Sequence, residues 1–143
     1  DLEALMAQQN REERAAYRLT TSQILCGSDE IQRRAVVTLE DTGSGARFHG
    51  AGHRGNGPVS VMAEAINDAL QRAKGDLIGQ QLKFVGYEVA AITDTAYALG
   101  DVTVRINYRG REYSGRGTST DVIEASGKAY LDACNKALDM EGV

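Results

Sequence analysis

Two glycine-punctuated corners carry the groups in this chain that could do chemistry. The fuller one reads Gly115-Arg116-Gly117-Thr118-Ser119-Thr120-Asp121-Val122-Ile123-Glu124-Ala125-Ser126, and its echo reads Gly50-Ala51-Gly52-His53-Arg54-Gly55-Asn56-Gly57-Pro58-Val59. Each leaves a strand-like run and enters an amphipathic helix, so the two helix N-termini are expected to face a shared site. A helix N-terminus presents unpaired N–H groups and a positive dipole end, which suits an anion. Gly55, Asn56 and Gly57 could therefore hold a small carboxylate, while Thr120 or Asp121 could accept a hydrogen bond from a ligand ammonium. The plainer reading is that Asn56 caps its helix and the glycines turn the chain. In the second corner Asp121 would then steady a first turn capped by Ser119 or Thr120. Taken alone, the corners favour the plainer reading.

Other chemistries find little footing. Gly50 to Gly55 formally matches G-x-G-x-x-G, but the preceding strand belongs to a hairpin, and Glu64, Asp68 and Asp76 fall in or just after a helix rather than at the end of a second strand. His49 and His53 lie too far apart along a strand for one metal and are expected in solvent or a loop. No nucleophile elbow and no carboxylate pair stands out, so no catalytic set is expected. Cys26 and Cys134 are expected to be buried free thiols. A net charge of -4 without a basic stripe argues against nucleic acid. No apolar run suits a membrane span and no signal peptide opens the chain, so a cytoplasmic setting is the default. The start at Asp1 suggests a fragment of something longer.

The elements that position the corners follow from periodicity. Residues 1–14 form a short helix with Leu2, Leu5 and Met6 as its sticky spots, expected to dock on an absent partner domain or to fray. Tyr17 to Leu25 alternates as a strand, with Tyr17, Leu19, Thr21, Gln23 and Leu25 on one face. Gly27 to Glu30 turns the chain, and Ile31 to Leu39 is a strand facing inward through Ala35, Val37 and Leu39. Glu40 to Gly45 is a hairpin loop, and Ala46 to Gly52 is the third strand. Val59 to Ala73 repeats apolar residues at helical spacing after Pro58, and Lys74-Gly75-Asp76 ends the helix. A connector reaches Leu82, a long β-run follows to Ile92, and Thr93 to Gly100 reads as a loop. Val102 to Asn107 and Glu112 to Gly117 form a hairpin, and Val122 to Leu138 is a second amphipathic helix.

The chain is internally repeated. A shift of 65 residues takes Val37-Thr38-Leu39 onto Val102-Thr103-Val104, Gly45 onto Gly110, Phe48 onto Tyr113, and Gly50 and Gly52 onto Gly115 and Gly117. Past the glycines the shift becomes 63, taking Val59 onto Val122 and Leu70 onto Ala133. The expected fold is α+β: two pseudo-symmetric βββα units, each an antiparallel three-stranded sheet covered by one helix, preceded by a short linker helix. The linker occupies residues 1–16 and the main domain 17–143, with repeats at 17–76 and 82–139. So thin a core implies that the units pair, and that two chains do.

Three segments carry a resemblance: GNGPV at Gly55 to Val59, ALGDVTVRI at Ala98 to Ile106, and GRGTSTDVIEASGKAYLDACNKAL at Gly115 to Leu138. They resemble the C-terminal allosteric domain of 2-isopropylmalate synthase, which citramalate synthase shares, in order and spacing over Tyr17 to Leu138. The resemblance implies a homodimeric regulatory domain without catalytic residues or cofactor of its own. It would bind leucine, or isoleucine in a citramalate synthase, and inhibit a distant catalytic barrel that carries a divalent metal. The effector pocket it implies takes Gly55, Gly57, Val59 and Ser60, with Asn56 and Asp121 added from the corner chemistry. Phe84, Tyr87 and Ala91 come from the fourth strand, Ala98 and Gly100 from the following loop, and Thr118, Ser119, Thr120 and Ile123 from the last corner. Alanines and glycines would leave an apolar slot open. Tyr97 stands where the family commonly has a small acid, which leaves open the effector's identity and an effector-insensitive structural dimerisation module.

Overall fold

The computed structural model describes residues 2–26, 33–75, 78–94 and 97–140, and the backbone only at positions 26, 79, 91–94, 97 and 98. The expected turn at Gly27 to Glu30, the start of the next strand at Ile31, and Asp76 lie outside the described residues. The order is α1 (Leu2–Arg14), β1 (Tyr17–Cys26), β2 (Arg33–Asp41), β3 (Arg47–Gly52), α2 (Pro58–Lys74), α3 (Ile78–Gln81), β4 (Leu82–Asp94), β5 (Tyr97–Tyr108), β6 (Arg111–Ser119) and α4 (Val122–Met140). Two antiparallel three-stranded sheets, β1-β2-β3 and β4-β5-β6, are each followed by a helix, the α+β duplication read from the sequence. The connector before Leu82 contains the single turn α3, anchored by the buried Ile78.

The helices α2 and α4 form where apolar residues recur at helical spacing, and each buries that stripe on its own sheet. Val61, Met62, Ala65, Ile66, Ala69 and Leu70 of α2 face Ala35, Val37 and Leu39 of β2. In the second unit Ala125, Ala129, Ala133 and Ala137 of α4 face Val102, Val104 and Ile106 of β5. Gly75 ends α2 in the left-handed conformation (φ 70°), its N–H donating to the Gln71 carbonyl.

The units share one core and clasp each other reciprocally. Asn135 of α4 donates to the Tyr17 carbonyl (3.0 Å) and accepts from the Tyr17 N–H (3.3 Å), closing the start of β1 in the other unit. Asn67 of α2 donates to the Leu82 carbonyl at the start of β4 (3.4 Å) and accepts from the buried Tyr130 hydroxyl (2.6 Å).

The strand registers correct four expectations. A bulge at Thr20 interrupts the β1–β2 pairing, so the inward face switches from odd to even residues: Ile24 packs on the core and Leu25 is 59% exposed. The same bulge recurs at Val85 in β4. β2 matches β5 two residues further along than expected, because Val37 pairs with Gly50 as Val104 pairs with Gly115. The second hairpin is two residues shorter, closing on Arg109 (φ 53°) and Gly110 (φ 85°). Along the helices Asp68 corresponds to Asp132, one position away from the alignment expected past the glycines, as both accept a β-edge N–H (3.0 and 2.9 Å). Finally, the loop expected over Thr93 to Gly100 is strand on both sides: Thr93 and Asp94 end β4 and Tyr97 to Gly100 begin β5, paired with it, while positions 95 and 96 lie outside the described residues.

Candidate functional site

At the second corner β6 delivers Thr118 and Ser119 to the head of α4. The Asp121 carboxylate accepts from the N–H groups of Ile123 (2.9 Å) and Glu124 (3.4 Å), and Ser119 Oγ accepts from the Asp121 N–H (3.2 Å). Asp121 is thus the cap of α4, and its charge faces its own helix dipole. Ala91, Gly100 and Ser119 are consecutive cross-strand partners, a row across the sheet that ends at this corner. Val122 sits over that row: a Cβ on Gly100 would stand 2.9 Å from Val122 Cγ2. Phe84 and Tyr87 lie further along β4, their ring centroids 6.0 Å apart, with Phe84 6.1 Å from Tyr130. The side chains of Ala91, Ala98 and Tyr97 lie outside the described residues. Ile123 is half-buried against the core, and Thr120 is exposed.

The first corner differs. The cap of α2 is Gly57, not Asn56, and no side chain accepts from the helix N-terminus; Asn56 is exposed. Pro58 has no N–H to offer and the Val61 N–H closes the first turn on the Gly57 carbonyl (3.0 Å), so the N–H groups of Val59 and Ser60 are the ones this terminus presents. A Cβ on Gly55 would collide with Ser60 (2.6 Å), whereas one on Gly57 meets nothing within 4 Å. The helices bearing the two corners touch at Met62 and Gly127, where an added Cβ would lie 3.1 Å from the thioether.

The strand glycines are not there for ligand access. A Cβ on Gly50 or Gly115 would run into the carbonyl of Ala65 or Ala129, and one on Gly52 or Gly117 into that of Val61 or Ala125. They let each helix lie directly on its edge strand. The slot expected from small residues is partly filled in the same way, Gly100 by Val122.

What periodicity could not show is the polar work along these edges. Asp101 on β5 forks onto Arg116 (2.6 and 3.1 Å) and accepts from Thr118 Oγ1 (3.3 Å). The Arg116 hydrogen bond, above all, holds the Asp101 carboxyl below the usual carboxylate range against the opposing effect of burial. Thr118 is buried under α1, where its N–H donates to Gln8 Oε1 (3.0 Å) and Arg11 Nη2 donates to its Oγ1 (3.4 Å). The linker helix therefore docks on its own chain, through Gln8; Leu2, Leu5 and Met6 stay exposed. His49 is exposed on β3, its Nδ1 2.9 Å from Thr38 Oγ1, and His53 is exposed with its N–H donating to Glu64 (2.9 Å). Cys134 is a buried free thiol whose pKa burial pushes up, leaving it protonated; the Cys26 side chain lies outside the described residues. Among the described residues no cluster of His, Cys, Asp or Glu could hold a metal, and no helix is long and apolar enough to cross a membrane.

Two open clefts of about 420 and 430 Å³ flank the units. Arg11, Arg14, Thr42, Asp132 and Lys136 line one, and His53, Arg54, Glu64, Asp68 and Gln71 the other. Neither is lined by a residue of the candidate pocket.

Residues 1–138 match the family model described as the LeuA allosteric (dimerisation) domain. Over 136 residues, 95% of this chain, the sequence is 34% identical to a 2-isopropylmalate synthase of Synechococcus sp. (strain CC9605) and 33% identical to that of Pyrococcus furiosus. Over 139 residues it is 36% identical to the 2-isopropylmalate synthase of Olsenella uli. The chain spans 23 to 25% of the length of these relatives.

Proposed function

Because the chain belongs to the LeuA allosteric (dimerisation) domain family, we propose that it is the end-product sensor and dimerisation module of a 2-isopropylmalate synthase, binding leucine for feedback inhibition. The parent's barrel would supply the chemistry and its divalent metal; this domain would supply the effector site. The family match over residues 1–138 carries the reading. The uncapped N-terminus of α2 supports it, because an amino acid brings a carboxylate that the N–H groups of Val59 and Ser60 can bind, with Gly57 leaving room for it. Asp121 uses Oδ1 to cap its helix, which leaves its Oδ2, the exposed Thr120 hydroxyl and the backbone carbonyls around it to accept from the ammonium. The apolar side chain would lie near Phe84, Tyr87 and the Ala91–Gly100–Ser119 row. Ligand binding shifts function only through different affinities for two arrangements of the domain.

Calorimetric titration with leucine, isoleucine and valine tests this. Leucine is expected to bind most tightly and to raise the melting temperature; isoleucine as the preferred ligand would point to a citramalate-synthase parent. Absence of heat and of any melting shift with all three would overturn sensing. A second reading, resting on the departure at Tyr97 from the pattern that the resemblance implies, is an effector-insensitive structural module. In that case Tyr97→Asp gains binding that the parent protein lacks.

A further inference from the structure

The two units close their exposed sheet edges in the same way, save for one position. In the first unit the β3 edge donates from Ala51 N–H to Asp68 (3.0 Å), and from the N–H groups of His53 (2.9 Å) and Arg54 (3.0 Å) to Glu64, one helical turn earlier. In the second unit Arg116 N–H donates to Asp132 (2.9 Å), the counterpart of Asp68. The residue one turn before Asp132 is Lys128, which has no acceptor to offer. The N–H left over is that of Thr118, and the linker helix fills the gap with Gln8 Oε1 at 3.0 Å. Lys128 meanwhile reaches Glu12 of the same helix (3.8 Å) as well as Glu124 (3.1 Å), and Arg11 donates to Gln8 Oε1 (2.7 Å), steadying the amide.

We propose that α1 is a polar latch addressed to the second unit: the exchange of Glu64 for Lys128 between the repeats creates the vacancy that Gln8 closes and the cation that holds Glu12. The address is written in charge rather than in apolar area, since Leu2, Leu5 and Met6 take no part. A latch of a few hydrogen bonds, each of modest net worth because water competes for the same groups, is reversible. A helix of 13 residues is marginal by itself, so α1 is helical to the extent that it is docked. The donor it occupies stands at the entrance to the Thr118–Asp121 corner, so undocking α1 frees a backbone N–H there. The latch holds whether or not that corner binds a ligand.

Amide hydrogen exchange on the chain tests the proposal, with the Val102 and Val104 amides of the central strand reporting global unfolding. In Gln8→Ala the Thr118 amide and those of α1 are expected to exchange about tenfold faster, from the loss of about one hydrogen bond's worth of protection, with Val102 and Val104 unchanged. In Gln8→Glu the acceptor survives and Thr118 stays protected. In Lys128→Glu the new carboxylate takes the role of Glu64, so Thr118 stays slow while α1, now repelled at Glu12, exchanges fast. Slow exchange at Thr118 in Gln8→Ala, or an α1 still protected in Lys128→Glu, would overturn the latch. Parallel acceleration of Val102 and Val104 in every variant would overturn it too, since the contacts would then serve global stability.

Discussion

At the scale of single residues, the glycines divide into two kinds that look alike in the sequence. Gly50, Gly52, Gly115 and Gly117 are steric: each stands where a Cβ would enter helix backbone. Gly57 has open space and an extended backbone (φ −163°) that any residue adopts. Gly115→Ala is therefore expected to lower stability in chemical denaturation by at least the ~1–3 kcal/mol of an overpacked core. Gly57→Ala should change it by less than about 1 kcal/mol, because the preference of a helix cap for Gly over Ala is offset by the reduced freedom of the unfolded chain. Equal costs would refute the distinction. Asp101 makes the second residue-scale prediction. Arg116 holds its folded pKa below the unfolded value, so its contribution is complete above the ordinary carboxylate range and disappears as the pH falls through the folded pKa. Asp101→Asn should be less stable than the parent at pH 7, with the gap closing on acidification; a gap independent of pH would show that the charge is not what matters.

At the scale of elements, apolar periodicity disclosed all six strands and the three longer helices, because burial on one face imprints period 2 or 3.6 directly. It missed what leaves periodicity intact. A hairpin shortened by two residues keeps every side chain on its face, so Val37 matched Val102 as plausibly as Val104. The bulge at Thr20 did the opposite, reversing the face within one unbroken run and moving Leu25 outward. The corner motifs were legible as turns into helices, but their polar roles depend on which N–H lies opposite which side chain, and nothing in the pattern singles out Glu64, Asp68 or Asp132 as the acceptors. The helix starts give this scale its own test. Gly57→Asp would add to α2 the cap that Asp121 gives α4, worth about 0.5–2 kcal/mol, while occupying the N–H groups proposed for the ligand carboxylate. Higher stability together with lost leucine binding is expected; undiminished binding would move the carboxylate site elsewhere.

At the scale of the whole molecule, an apolar strip of the second sheet lies uncovered along β4. Tyr87 and Val89 of β4 pair with the buried Val104 and Val102, yet are 47% and 48% exposed because α4 packs chiefly over β5 and β6. Val122, beside them over Gly100, is 44% exposed. If the dimerisation named in the family description runs through this face, the candidate pocket lies beside the interface. Val89→Lys should then lower the mass found by sedimentation to that of one chain, and an unchanged dimer would exclude this face. Leucine sensing at the two corners, as proposed, would be seen in backbone amide NMR shifts recorded during a leucine titration. Saturable shifts concentrated at Val59 and Ser60 of α2 and at Gly100, Ser119 and Thr120 of the opposite corner are the predicted result. A spectrum that leucine leaves unchanged, or shifts confined to the two open clefts, would contradict it.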